Sequence, residues 1–215
     1  MEPLHLYSFF NSSTTFRVRI ALELKGLPWQ QTTVNLRADE QHEEGFGVVN
    51  PAGLVPVLLH GSRRITQSIA IVDYLDQIAP EPRLIPEHGP LRTTVLEVAM
   101  AIAADMHQVN NMRTQKYLAQ LLEASAGQKE AWVRHWWHTG FAAVEALLPP
   151  VRAGWTLGDG PTLADCCLVP QVANAVRGGF DCAVYPKLWR AFEHCMGHPA
   201  FLRAAPASQP DHVAH

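Results

Sequence analysis

The sequence predicts two unlike parts: a mixed α/β unit over residues 1–80 and an all-helical unit over 91–215, joined by a linker at 81–90. Three observations predict it. Short apolar runs alternate with helical ones up to residue 80. Pro80, Pro82, Pro86, Gly89 and Pro90 then crowd one stretch, the composition of a connection rather than an element. Beyond them the strand pattern nearly vanishes and helical periodicity takes over.

In the first part, residues 4–10 are short, apolar and aromatic, and read as a strand. Residues 14–25 read as a helix, stopped by Gly26 and Pro28. Residues 30–36 alternate and are rich in Thr and Val, a second strand. Residues 37–46 are polar and hold at most a short irregular helix. Residues 56–60 and 63–66 flank Gly61-Ser62, a hairpin signal. Residues 68–78 divide into apolar and polar faces, a helix. The order is βαβαββα, which implies a mixed sheet with helices packed on it.

In the second part, apolar residues recur through 91–122 as one long helix or a kinked pair, and through 128–148 as another. Thr162-Leu163-Ala164-Asp165 nearly matches a capping box, with Asp where Glu or Gln is usual, and opens a helix over 163–176. Residues 186–196 and 199–204 are shorter helices, each led by a proline. The polar tail 206–215 reads as poorly ordered.

Composition excludes several functions. A formal charge of −3 argues against a nucleic-acid binder, which needs a basic surplus. No apolar run is long enough to span a membrane, and the first residues lack a signal-peptide pattern, so the cytoplasm is the expected compartment. The four cysteines, Cys166, Cys167, Cys182 and Cys195, form no zinc-type spacing, so no metal site is expected. In a reducing compartment they read as buried thiols packed as small hydrophobes.

Three features of the first part bear chemistry. Ser12 and Ser13 lie at a strand-to-helix turn, where unpaired N–H groups and the helix dipole favour an anion, including a ligand's thiolate. Val55-Pro56 leads directly into a strand, and a cis bond there would turn the backbone of Val55 outward to pair with an extended peptide. Gln67-Ser68 begins a helix and offers an amide, a hydroxyl and a dipole to a carboxylate. Taken singly, each is also an ordinary cap or strand start. Taken together, they could hold one extended peptide by its thiol, its backbone and its carboxylate.

With those residues in view, the chain resembles the cytosolic glutathione transferases: a thioredoxin-like N-terminal domain followed by a helical C-terminal domain. Within them it resembles the zeta class, the maleylacetoacetate and maleylpyruvate isomerases. The matching runs are Ser12-Ser13 with Arg17-Val18-Arg19-Ile20-Ala21-Leu22, Asn50-Pro51 with Val55-Pro56, Gln67-Ser68-Ile69-Ala70-Ile71, Thr162-Leu163-Ala164-Asp165, Leu168-Val169-Pro170-Gln171-Val172-Ala173-Asn174-Ala175, and Gln209-Pro210-Asp211. The resemblance implies glutathione as cofactor, with Ser12 or Ser13 donating to its sulfur, Val55 pairing with its cysteinyl backbone, and Gln67 and Ser68 holding its γ-glutamyl end. It implies that His107 and Asn111 reach the glutathione of a partner subunit, hence a homodimer. It implies that Arg177 faces substrate carboxylate and steadies a developing enediolate. The implied reaction is the cis–trans isomerisation of a maleyl-type keto acid through reversible thiolate addition. A general transferase or peroxidase for other electrophiles is the alternative reading, and a non-catalytic glutathione-fold binding protein the second.

Departures from the pattern fall on the substrate side. Thr14 stands where the class has cysteine, Asn11 where it often has arginine, and Met112 where the bacterial isomerases carry the first of two arginines, while Arg113 keeps the second. Each missing arginine removes a charge-assisted bond, worth about 1.5–3 kcal/mol, from a dianionic substrate. Gly178-Gly179 after Arg177 replaces a bulkier pair and is expected to loosen that loop.

Overall fold

The computed structural model describes residues 2–150 and 154–213. By packing, the chain falls into two compact units, Met1–Ile85 with Met196–His215, and Pro86–Cys195.

The first unit is built on four strands, β1 (Leu4–Ser8), β2 (Trp29–Thr33), β3 (Val57–His60) and β4 (Arg63–Ile65), in the order β2-β1-β3-β4. β1 runs parallel to β2, Leu4 facing Trp29, and antiparallel to β3, Leu6 facing Leu58; β3 and β4 form the hairpin. The parallel β1–β2 step needs a crossover, and α1 (Ser13–Leu24) supplies it. The central strands carry the apolar residues: Leu4, Leu6, Val57 and Leu58 are buried, whereas edge strand β2 is polar at four of its five residues. α2 (Glu44–Val49) precedes β3, and α3 (Ser68–Ile78) follows β4. The βαβαββα order and the thioredoxin-like arrangement are as the sequence predicts.

α1 is buried throughout Thr15–Leu22, and α3 and α10 (Pro199–Ala204) both pack against it. This is why two arginines, Arg17 and Arg19, lie within its buried stretch. Arg19 spends its guanidinium on backbone: Nε donates to the Ala204 carbonyl at 2.9 Å and Nη2 to that of Phe10 at 2.9 Å. Burial pulls its pKa down to about 9, and the negative charge of Asp211 works against that shift. Asp211 in turn accepts from the Phe10 N–H at 2.8 Å, and the His212 ring meets the Phe10 ring edge to face.

The tail therefore differs from expectation. Residues 206–213 are not loose: Gln209 is buried and donates to the Arg203 and Ala205 carbonyls, and Asp211 anchors to β1's end, while residues 214 and 215 lie outside the described residues. Polar composition suggested disorder, but Gln209 finds backbone carbonyls four and six residues back, and Asp211 finds a backbone N–H 201 positions away, which no local pattern encodes. For the same reason Met196–His215 packs with the first unit, although the expected helical domain ran to residue 215. The start of the expected linker is likewise fixed. The Lys25 ammonium pairs with buried Asp76 at 2.7 Å, and Asp76 accepts from the N–H groups of Leu84 and Ile85 at 3.0 and 2.7 Å.

The second unit is helical: α4 (Gly89–Met100), a π-helical segment Ala101–Met106, α5 (His107–Asn110), α6 (Met112–Leu122), α7 (Ala126–Leu147), α8 (Leu163–Arg177) and α9 (Pro186–Met196). The expected kinked pair over 91–122 is thus α4 to α6, broken by the π-turn and at Asn111. α8 is the central helix and is apolar nearly all round. Its capping box is present with Asp in the acidic place: the carboxylate of Asp165 accepts from Thr162 N at 2.8 Å and Thr156 N at 2.7 Å. The four cysteines are free and buried. Burial pushes the Cys182 thiol up to about 12, and burial beside Asp165 raises Cys195 further. No helix among the described residues is long and apolar enough to cross a membrane.

Candidate functional site

In the first unit the three sequence features become three shaped backbones. Ser12 caps α1: its Oγ accepts from Thr15 N at 3.3 Å, and Ser13 is the first helical residue. Thr14, read from the sequence only as a lost cysteine, holds this turn together. Its hydroxyl donates to the Val55 carbonyl at 3.0 Å and lies 2.9 Å from Ser12 Oγ. A carbonyl can only accept, so the Thr14 proton is committed to Val55. Ser12 is then the donor in the Ser12–Thr14 pair. Sequence reasoning missed Thr14 because its partner is a backbone atom 41 positions away.

The Val55-Pro56 bond is cis. The loop before it is held by Asn50, whose amide donates to the Leu54 carbonyl at 2.7 Å and whose Oδ1 accepts from Ala52 N at 3.1 Å. That gives the Asn50-Pro51 motif a physical purpose: it fixes the backbone that leads to Val55.

At the start of α3, Gln67 is exposed and makes no capping bond with its side chain. Ser68 is buried, and its Oγ accepts from Arg17 Nη1 at 2.8 Å. Because the oxygen is engaged by a cation, the Ser68 proton is left to donate. A hydroxyl polarised in this way at a helix N-terminus suits a carboxylate. Thus the first unit offers donors for a thiolate at Ser12 and Ser13, a Val55 whose carbonyl is taken by Thr14, and donors for a carboxylate at Gln67 and Ser68. A peptide bearing a thiol and a terminal carboxylate fits this set.

The second unit contains the remaining predicted residues. His107 begins α5 and is half-buried. The Asn111 amide is engaged within its own chain: Oδ1 caps α6 by accepting from Thr114 N at 2.9 Å, and Nδ2 donates to Gln108 at 3.3 Å. Met112 is partly exposed on α6. Arg177 ends α8, its guanidinium donating to Asn174 Oδ1 at 2.5 Å, and lines a cavity of about 380 Å³ with Asn110, Lys129, Val133 and Trp137.

The glycines after Arg177 tighten the loop rather than loosen it. A Cβ at Gly178 would come within 2.5 Å of the Trp137 ring, so glycine lets that ring pack close. Gly179 has φ +72°, and its carbonyl accepts from Arg134 Nη2 at 3.2 Å. The expectation of looseness weighed the missing side chains and not the bonds the backbone makes.

Comparison with known proteins places the chain in a family. Residues 2–77 match the family described as glutathione S-transferase, N-terminal domain. The chain is 42% identical to a probable maleylacetoacetate isomerase of Vibrio cholerae, over 98% of this chain and 99% of the relative. It superposes with a TM-score of 0.94 on the holo structure of maleyl pyruvate isomerase, described as a bacterial glutathione-S-transferase in zeta class, at 41% identity over 97% of this chain and 100% of that one. A maleylacetoacetate isomerase of Anaeromyxobacter dehalogenans, solved with bound GSH in the active site, gives a TM-score of 0.88 at 35% identity over 99% of this chain and 100% of that one. The chain belongs to the glutathione transferase family, in its zeta-class branch of maleylacetoacetate and maleylpyruvate isomerases.

Proposed function

We propose that the protein is a glutathione-dependent cis–trans isomerase of a maleyl-type keto acid. The observation that carries the reading is the paired donor geometry of the first unit: a capped but donor-rich turn at Ser12-Ser13, and a Ser68 hydroxyl whose proton is left to donate because its oxygen accepts from Arg17. When bound, glutathione supplies a thiolate that adds reversibly to the cis double bond and so permits rotation about it.

The rest is work for the chain's own residues. The N–H groups at the start of α1 and one hydroxyl of Ser12 or Ser13 favour thiolate over thiol and draw its pKa toward neutrality. Val55 backbone aligns the cysteinyl part, and Gln67 and Ser68 hold the γ-glutamyl carboxylate. Arg177 provides positive charge for the carboxylate and the enolate oxygen of the substrate, where charge grows in the transition state. No protein nucleophile is required, which is why threonine at position 14 is compatible with turnover.

The active species in this reading is a homodimer, with His107 and Asn111 directed at the partner's glutathione. α6 supports it, because none of its residues is buried although Tyr117, Leu121 and Leu122 are 61%, 61% and 65% exposed. A reducing, cytoplasmic setting suits four buried free thiols.

The deciding assay follows maleylacetoacetate, maleylpyruvate and a chloro-aromatic electrophile, each with and without glutathione. Isomerisation that needs glutathione is the expected result. Conjugation of the chloro-aromatic alone would replace this reading with that of a general transferase. Light scattering at working concentration is expected to give twice the chain mass.

A further inference from the structure

We infer that the carboxylate of Asp211 positions the Ser12-Ser13 turn for the glutathione thiolate by holding the backbone of Phe10. Asp211 acts through Phe10, as a positioning residue. The inference rests on the proposed role of that turn as the thiolate site.

Among the runs that mark the zeta-class resemblance, Gln209-Pro210-Asp211 adds nothing to the donor set of the first unit, yet each of its residues has a defined task. Gln209 is buried, and its amide donates to the Arg203 and Ala205 carbonyls at 2.9 and 3.0 Å, which moors the tail to the end of α10. α10 packs on α1, and Arg203 pairs with Glu23 of α1 at 2.6 Å. The His212 N–H donates to the Gln209 carbonyl at 3.0 Å, so residues 209–212 close a β-turn. Pro210 takes its second place, where a φ fixed at about −65° suits such a turn, and Asp211 its third. The Asp211 carboxylate then meets Phe10, accepting from its N–H at 2.8 Å.

Phe10 is 4% exposed and lies beyond Ser8, the last residue of β1, so its N–H is a buried donor outside the strand and needs a partner. Asp211 supplies one. On the other side the Phe10 carbonyl accepts from Arg19 Nη2 at 2.9 Å. The Phe10 ring meets the His212 ring edge to face at 5.4 Å and lies under the Arg37 guanidinium at 5.3 Å. The negative charge of Asp211 also supports the protonated form of buried Arg19. All of this bears on the thiolate turn, because the Ser12 N–H donates to the Phe9 carbonyl at 3.0 Å. Phe10 is thus the second residue of the turn Phe9–Ser12, which ends on the cap of α1. Donors serve a charge only within about 2.7–3.1 Å of it, so a small displacement of Phe10 weakens them.

The test uses the full-length protein and two probes, glutathione and S-methylglutathione, which has no thiol to ionise. Thiolate absorption against pH gives the thiol pKa of bound glutathione, and calorimetry gives both affinities. Asp211→Ala is expected to raise that pKa by about half a unit to one unit and to leave S-methylglutathione affinity within about twofold. The sign isolates positioning: removing a negative charge alone would lower a neighbouring thiol's pKa, so a rise reports displaced donors. Asp211→Asn keeps an acceptor for the Phe10 N–H without the charge, and is expected to hold the pKa at or slightly below that of the unmodified protein. Pro210→Gly keeps the carboxylate but frees the turn, and is expected to give a smaller rise. An unchanged or lowered pKa in Asp211→Ala, or in Pro210→Gly where Asp211→Ala does not fold, overturns the inference. So does a rise in Asp211→Asn equal to that in Asp211→Ala, or a loss of S-methylglutathione affinity beyond about fivefold, which would mark general damage to the site. If the unmodified protein binds neither probe, the thiolate reading of the turn is itself overturned and the inference falls with it.

Discussion

The start of α1 and the cavity of the helical unit solve opposite problems. Around α1 the side-chain polar groups are mostly committed: Arg19 to four residues' oxygens, Thr14 to Val55, Arg17 to Ser68, Asn50 to its own loop. What is left for a ligand there is the N–H groups at the helix starts and hydroxyls whose protons the network directs. In the cavity the charges come from side chains on different helices, Lys129 and Glu130 on α7 and Arg177 on α8. A site made of backbone changes little when residues are exchanged, so it serves an invariant ligand. A site made of side chains can be rebuilt by one substitution, so it serves a ligand that varies between relatives. On this argument glutathione recognition is the fixed half of the protein and substrate recognition the adjustable half.

The largest expected effect tests the adjustable half. Arg177→Ala is expected to cut kcat/KM for the maleyl keto acid by roughly two to three orders of magnitude, the cost of an electrostatic stabiliser in a sheltered site. Glutathione affinity, measured separately, is expected to stay within about twofold. Loss of glutathione binding in this variant would break the comparison, because the two halves would then share a residue.

Ser68→Ala probes the fixed half and is expected to weaken glutathione by about 1–3 kcal/mol. The structure adds a second consequence. Removal of the hydroxyl takes the acceptor from Arg17 Nη1 in a buried position, where Nε already has no partner, so the denaturation midpoint should fall as well. A fall in stability with unchanged glutathione affinity would make Ser68 an anchor for Arg17 and no more.

A smaller effect separates the units without any ligand. Cys182 and Cys195 have raised pKa values in the fold, Cys182 about 12, while the unfolded thiols titrate near their ordinary 9. A raised acid pKa means stability that is complete below about pH 9 and is lost as pH climbs toward the folded value. Both thiols lie in the helical unit, so that unit should lose about 1–3 kcal/mol by pH 10. Denaturant titrations at pH 7.5 and pH 10 measure this, and native thiols at pH 8 should resist a thiol reagent that reacts with all four in denaturant. Rapid reaction of the native protein would contradict the burial.

What the sequence made legible follows the range of the interactions. The bounds of α1, α3, α8, α9 and α10 were readable because caps and first-turn prolines act within three or four residues. Ser125–Gln128 is a full capping box of the same local kind and could have been read two residues ahead of the predicted start at 128. The Lys25–Asp76 pair, the docking of Asp211 on Phe10, and the shared lining of one cavity by Lys129 and Arg177 involve residues about 50 to 200 positions apart, and no spacing rule reaches them. Thr14 is the instructive intermediate: its bond to Ser12 is local, but its role comes from Val55.

That role gives the smallest predicted effect and the sharpest one. Thr14 donates to Val55, so Ser12 must spend its proton on Thr14 unless it turns toward a ligand. If Ser12 is the hydroxyl that serves the thiolate, it competes with Thr14 for one proton. Thr14→Val keeps the shape and removes the competitor. The thiol pKa of bound glutathione, followed by thiolate absorption against pH, should then fall by about half a unit to one unit, the equivalent of one net hydrogen bond of about 0.5–1.5 kcal/mol. Affinity should weaken by about threefold, because the tether between the α1 turn and the Val55 loop is gone. Thr14→Cys, with a weak acceptor, should move the pKa the same way by less and leave the rate nearly unchanged. If Thr14→Val and Ser12→Ala both leave that pKa where it was while Ser13→Ala raises it, then Ser13 is the donor, and the capping of α1 by Ser12 is purely structural.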